Sequence, residues 1–310
     1  MRVHHLNCIS SCPLGGHLMD HNHESILRRG HLTNHNLLIE TDSSGLVLVD
    51  TGFGLKDVQS AESRLSHFFL KLVKPDFREE MTAIRQIQNL GYDPLDVRHI
   101  ILTHLDFDHA GGLDDFPWAT VHMLSAERDY AFLQKTWLDR QRFRPQQWGT
   151  KNNWKVYEAD EGEQWFGFDR VNTLHGLPSE IALIPLTGHT FGHAGVAVKR
   201  GAIWILNAGD AYFYHQEIDP VNPYCTPGLT LYQKMMDKDY KTRIWNQLRL
   251  RDLKNDHSRE VQIFCSHDVK EFERFSGRAA GIPAEKLMTG KGIPKLNKID
   301  SDSETRRNHV

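Results

Sequence analysis

Four cysteines in 310 residues, Cys8, Cys12, Cys225 and Cys265, are too few and too scattered to staple a fold, which fits a reducing compartment. No apolar run is long enough to span a bilayer. The start, Met1-Arg2-Val3-His4-His5-Leu6-Asn7-Cys8, lacks the continuous apolar core of a secretory signal. An excess of either charge is also missing: 37 Lys and Arg stand against 40 Asp and Glu, a net charge of −3. That balance leaves no electrostatic footprint for nucleic acid or an anionic membrane. Gly-x-Ser-x-Gly does not occur, so a serine triad of the hydrolase type is not indicated. These absences lead us to expect a cytoplasmic protein with neither nucleic-acid nor membrane partners.

Histidine and carboxylate, by contrast, are concentrated. His104-Leu105-Asp106-Phe107-Asp108-His109 holds two imidazoles and two carboxylates in six residues and is followed by Ala110-Gly111-Gly112. Before it runs Val97-Arg98-His99-Ile100-Ile101-Leu102-Thr103, mostly apolar and predicted to form a buried strand. The cluster therefore sits where a strand leaves a sheet, a usual place for chemistry on mixed scaffolds. Imidazole with carboxylate suits divalent zinc, iron, manganese or cobalt. Four ionisable donors exceed what one tetrahedral ion takes from a single loop, which points to two ions.

Seven histidines lie in the first 35 residues (His4, His5, His17, His21, His23, His31 and His35), without a recognised ligand spacing. Cys8-x-x-x-Cys12 is a weak metal hint beside the plainer reading of buried thiols. Leu37–Glu40 and Gly45–Gly52 read as a β-hairpin around Asp42-Ser43-Ser44-Gly45. Residues 56–91 read as helical, with Ala61, Leu65, Phe68, Phe69 and Leu72 on one face and a second segment from Arg78 to Leu90. A strand is expected at Thr120–Leu124 and a helix from Ser125. Between Lys135 and Phe168, Trp137, Trp148, Trp154, Trp165, Phe166 and Phe168 interleave with Arg140, Arg142, Arg144 and Lys151. We read about 135–170 as an insertion that shapes a pocket.

His104-x-Asp106-x-Asp108-His109 resembles the His-x-His-x-Asp-His signature of the metallo-β-lactamase superfamily, with Asp106 standing where that signature has its second histidine. Three later stretches resemble further elements of that family in the same order. They are Thr187-Gly188-His189-Thr190-Phe191-Gly192-His193, the apolar run 202–209 ending in Asp210, and the run 261–266 ending in His267. Asp50-Thr51-Gly52 resembles the family's Asp-x-Gly turn, whose carboxylate supports the metal loop from behind.

The resemblance implies an α+β fold, the αββα sandwich of two mixed sheets packed face to face with helices outside. We place that domain at 1–276 and a loosely ordered tail at 277–310. It also implies a first ion on His104, Asp106 and His189 and a second on Asp108, His109 and His267, with Asp210 shared and Asp50 and His193 in supporting positions. Zinc is the first expectation, and the Asp106 carboxylate opens the site to iron, manganese or cobalt. The implied activity is hydrolysis by a hydroxide held between the ions, with Asp108 and Asp210 catalytic and a small-molecule ester or lactone as substrate.

The layout is similar to the N-acyl-homoserine lactonases, which carry a tyrosine three residues after the bridging aspartate. Here position 213 is Phe, flanked by Tyr212 and Tyr214. Tyr212, Tyr214, Phe68 and Trp148 are the candidate substrate contacts. A glyoxalase-II-like thioesterase and a β-lactamase remain alternatives. A flavodiiron-type oxidoreductase, a non-catalytic ligand sensor and a homodimer stay open as well.

Overall fold

In a computed structural model, residues 1–20, 25–149 and 153–281 are described. His21, His23, Lys151 and the tail expected beyond residue 281 lie outside them. Among the described residues, twelve strands form two six-stranded sheets. The first sheet takes β1 (Arg2–Asn7), β2 (His35–Glu40), β3 (Leu46–Val49), β4 (Val97–Ile101), β5 (Thr120–Leu124) and β6 (Trp154–Tyr157), in that order. The second takes β7 (Glu163–Trp165), β8 (Phe168–Thr173), β9 (Ile181–Pro185), β10 (Ala194–Arg200), β11 (Ile203–Asn207) and β12 (Val261–Phe264), again in chain sequence. Both sheets are mixed: β3 through β6 run parallel, as do β11 and β12, and the other neighbours are antiparallel.

Alternation of side chains explains the layering. Leu37 and Ile39 of β2 and Val47 and Val49 of β3 face inward, meeting Leu183, Val196, Val198, Ile205 and Phe264 of the second sheet. Their neighbours Leu38, Leu46 and Leu48 point the other way, onto Ala83 and Ile87 of the helix Ala83–Asn89. On the far side, Leu206 and Ile263 meet Leu250 and Leu253 of the helix Tyr240–Asp256. Central strands covered on both faces read as unbroken apolar runs, and the result is the expected α/β/β/α sandwich.

Two expectations need correction. The stretch 56–91 is not one long helix followed by another but Leu55–Gln59, Ala61–Arg64, His67–Val73 and Ala83–Asn89. Leu65 is extended (φ −108°, ψ 157°), and the Ser66 hydroxyl accepts from Phe69 N at 3.1 Å to start a new helix, so local capping cuts the periodic pattern. Likewise, residues 135–170 are not wholly an insertion. Among the described residues, the short helices Trp137–Arg142 and Pro145–Trp148 depart from the sheets, whereas Trp154–Tyr157, Glu163–Trp165 and Phe168–Thr173 are framework strands.

Candidate metal centre

Every expected donor follows a strand end. Asp50 comes after β3, the 104–109 cluster after β4, Asp210 after β11 and His267 after β12, while His189 lies in the turn between β9 and β10. Two groups result that can each hold a metal ion: His104, His189 and Asp210, and Asp108, His109 and His267. The Nε2 atoms of His104 and His109 and Oδ1 of Asp210 are buried without a hydrogen-bond partner. Orphaned donor atoms of this kind are costly unless a cation takes them.

The spacing supports that reading. Around an ion bonded at ~2.0–2.1 Å, tetrahedral donors lie about 3.3–3.4 Å apart. Beside the first group, Oδ2 of Asp106 is 3.3 Å from His104 Nε2 and 3.1 Å from His189 Nε2. Oδ2 of Asp210 is 3.7 Å and 3.4 Å from the same two nitrogens. In the second group, the other Asp210 oxygen, Oδ1, is 3.3 Å from His109 Nε2 and 3.2 Å from His267 Nε2. Oδ2 of Asp108 completes it at 3.8 Å from His267 Nε2. Asp210 therefore stands between the two groups and reaches both, although Oδ2 is also 3.2 Å from His267 Nε2.

Partners behind the donors fix their orientation. Asp50 accepts from Thr103 N and from the Thr103 hydroxyl, both at 2.8 Å, and its Oδ2 takes Nδ1 of His109 at 2.8 Å. Since the Thr103 hydroxyl is spent as a donor there, it accepts from Nδ1 of His104 at 2.9 Å. Nδ1 of His267 donates to the Thr33 carbonyl at 2.8 Å. In each case the second ring nitrogen is turned toward Asp210. His193 is different: Nδ1 donates to the Leu186 carbonyl and Nε2 accepts from Asp210 N, both at 2.8 Å. With both nitrogens engaged, it positions the Asp210 backbone.

Electrostatics follow from burial. Burial works against the charged form of Asp210, but His267, His109 and His104 hold its carboxyl well below the ordinary range. Asp108 is pushed up by burial. His109 is held well above its usual value by Asp210 and Asp50, against the effect of burial.

Three residues that the sequence reading passed over bear on the site. Arg142, fully buried, clamps Asp106 with two prongs, Nε to Oδ1 at 2.6 Å and Nη2 to Oδ2 at 2.5 Å. Glu127 ties two donor loops together, accepting from Leu105 N at 2.8 Å and from the Thr190 hydroxyl at 2.5 Å. Burial lifts its carboxyl to about 7. Tyr232 lines a narrow cavity with Asp108, His267, Phe213, Met19 and Leu32. Burial and then Asp108, Asp106 and Asp210 keep its phenol protonated well beyond the usual range. A carboxylate in a histidine position signals that a buried cation must lie nearby, but Arg140, Arg142 and Arg144 are alike in the sequence.

The candidate substrate contacts fare unequally. Tyr212 is fully buried in the outer core of the second sheet, with its hydroxyl donating to Glu271, so its ring is packing and not pocket wall. Trp148 is likewise a core residue, stacked on Phe132 beneath the first sheet's helices. Phe68 packs on Phe69 and Trp137. Tyr214 borders a small cavity shared with His267 and His31. The ring that faces the donors is Phe213, 4.7 Å from His267 and 5.8 Å from His189. Among the described N-terminal histidines, none belongs to either donor group. His5 and His35 instead pair with each other, Nδ1 to Nε2 at 2.8 Å.

A two-sheet sandwich with seven convergent His and Asp side chains at one edge defines a class, and comparison with known proteins agrees. The Metallo-beta-lactamase superfamily profile matches residues 30–220. The chain belongs to the metallo-β-lactamase superfamily, a family of metal-dependent hydrolases. A probable metallo-hydrolase of Mycobacterium bovis is 38% identical over 275 residues, covering 86% of this chain and 80% of that protein. An N-acyl homoserine lactonase of a Bacillus species is 28% identical over 191 residues, covering 60% of this chain and 68% of that enzyme. The fold is similar to that of an N-acyl homoserine lactone hydrolase with N-hexanoyl-L-homoserine at its catalytic metal centre. That match has a TM-score of 0.65 at 20% identity and covers 88% of this chain and 95% of the other.

Proposed function

We propose that the protein is a dinuclear metallo-hydrolase that opens a lactone or ester bond of a small molecule. The observation that carries this reading is the place of Asp210 between two pairs of imidazoles: Oδ1 lies 3.2 and 3.3 Å from Nε2 of His267 and His109, and Oδ2 lies 3.4 and 3.7 Å from Nε2 of His189 and His104 and 3.2 Å from that of His267. His104, Asp106 and His189 would hold the first ion, and Asp108, His109 and His267 the second, with Asp210 shared. Zinc suits this mixed nitrogen and oxygen donor set, and a dizinc lactonase shares the fold at a TM-score of 0.56. Two divalent ions, when bound, would supply an acidified water and a Lewis acid for a carbonyl oxygen.

The chain's own residues do the rest. Asp210 sets the distance between the two donor groups. Asp108 lies at the cavity wall with its Oδ2 3.8 Å from His267 Nε2. Phe213 and Leu32 give the cavity an apolar side that excludes bulk water around an acyl group. The lactone substrate class rests on the similarity to the Bacillus lactonase. The test is metal analysis of the purified chain combined with turnover of lactone, thioester, β-lactam and phosphodiester panels. Two ions per chain with preferential lactone or ester hydrolysis is the expected result. A chain that holds no ion, or an Asp210→Ala variant with undiminished turnover, overturns the reading.

A further inference from the structure

Asp106 raises a charge problem that a histidine in its place does not. It adds a third carboxylate to the two, Asp108 and Asp210, that the two adjoining donor groups already hold, where an imidazole at position 106 would leave two. One extra buried negative charge is expensive unless it is paired. The partner is Arg142, from the helix Trp137–Arg142. Its guanidinium takes both Asp106 oxygens, donates through Nη1 to the Met236 carbonyl, and brings Nη2 to 3.0 Å from His189 Nε2. The guanidinium carbon also lies 5.2 Å from the centroid of the Phe143 ring. Anchored on these sides, the fork leaves Asp106 no freedom to rotate.

The geometry points to Asp106 and Arg142 acting as one unit that replaces an imidazole in the first cation position. Pinned in this way, Asp106 keeps Oδ2, which also accepts from Arg142 Nη2, between His104 Nε2 and His189 Nε2 at 3.3 and 3.1 Å. The guanidinium charge returns the centre to the balance that a neutral imidazole would give. Arg142 is thus a positioning residue, acting on a cation only through the carboxylate it holds. The inference rests on the two-ion reading above and adds that Asp106 is a workable donor only in the presence of its arginine.

A double-substitution cycle read by metal content tests it. Full-length wild type, D106H, R142Q and D106H/R142Q are loaded with Zn²⁺ or Co²⁺, desalted and assayed for ions per chain. The affinity of each ion is measured by chelator competition, and circular dichroism confirms folding. Wild type should hold two ions. D106H should retain about one, since the unpaired guanidinium then faces an imidazole and a cation across a dry site, and D106H/R142Q should return to two. R142Q alone should weaken the first ion about 10- to 100-fold, the usual cost of removing a group that orients a ligand, and leave the second unchanged.

The same arginine substitution thus harms metal binding beside Asp106 and repairs it in the D106H background. That reversal of sign is not expected of a merely structural residue. D106H holding two ions at wild-type affinity overturns the inference alone. So does R142Q with both affinities unchanged, a result that stands even if D106H fails to fold. Wild type holding fewer than two ions overturns the two-ion reading and this inference with it.

Discussion

Asp50 Oδ2 lies 2.8 Å from His109 Nδ1, and this contact turns the imidazole so that Nε2 points at Asp210. Asp50 is itself held at a positive φ of 54°, an unusual backbone for a non-glycine residue, and it also receives two hydrogen bonds from Thr103. Its carboxylate is therefore built in to orient a ring. Asp50→Ala should lower the affinity of the second ion about 10- to 100-fold, measured by competition with a chromophoric chelator. Unchanged affinity would make Asp50 a turn residue only.

Tyr232 brings a hydroxyl to the cavity wall occupied by Asp108 and His267, and its ring centroid is 5.8 Å from that of Phe213. Phe213 has no polar atom, so for a substrate carbonyl held in this cavity Tyr232 is the neighbouring aromatic residue with a hydroxyl to donate. Tyr232→Phe should reduce kcat/KM for the preferred lactone or ester about 10- to 100-fold, in line with the loss of one oxyanion donor. Metal content should stay the same. Turnover at the wild-type level would remove Tyr232 from the chemistry.

Glu127 accepts three hydrogen bonds, from Leu105 N, the Thr190 hydroxyl and Gly192 N, and so joins the loop after β4 to the loop between β9 and β10. Glu127→Ala strands those donors in the interior. The expected cost is about 2–4 kcal/mol of unfolding free energy, measured by denaturant titration, with Glu127→Gln costing less. A loss below 1 kcal/mol for the alanine variant would show that water replaces the carboxylate.

Glu271 sets a pH dependence. Burial raises its carboxyl from 4.5 to about 8 in the folded chain. Between those values the folded state holds a proton that the unfolded state has released. Stability from this group is therefore present at low pH and declines as pH rises toward 8. Thermal unfolding of wild type should fall more steeply from pH 5 to pH 9 than that of Glu271→Gln, which retains an acceptor for Cys265 N. Parallel profiles would assign the pH dependence to other groups.

Much of this architecture was legible because the donors sit in short motifs at the ends of apolar runs, and such runs are what buried strands look like. His104, Asp108, His109, His189, Asp210 and His267 come together in the two donor groups, and the last three were pointed to by the family resemblance and not by the runs alone. Arg142 and Glu127 were not legible, since each acts on residues more than 20 positions away and nothing local distinguishes it from a surface charge. The tyrosines misled for a related reason. Side chains alternate along extended backbone, so whether residue 212, 213 or 214 faces the donors depends on how the chain leaves β11, and the answer is Phe213. Helix breaks at Leu65 and Ser66 are set by single capping contacts, which periodicity does not register.

The donors come from both halves of the sandwich: 104 to 109 from the first sheet, and 189, 210 and 267 from the second. A cation held there is a rivet between the two slabs as well as a reagent. Binding only to the closed arrangement, it adds about 2.7 kcal/mol of resistance to unfolding at a hundredfold excess over its Kd. Starvation for the ion would then do more than silence the chemistry: it would loosen the seam and expose the chain to proteolysis, tying the lifetime of the molecule to the mineral supply around it.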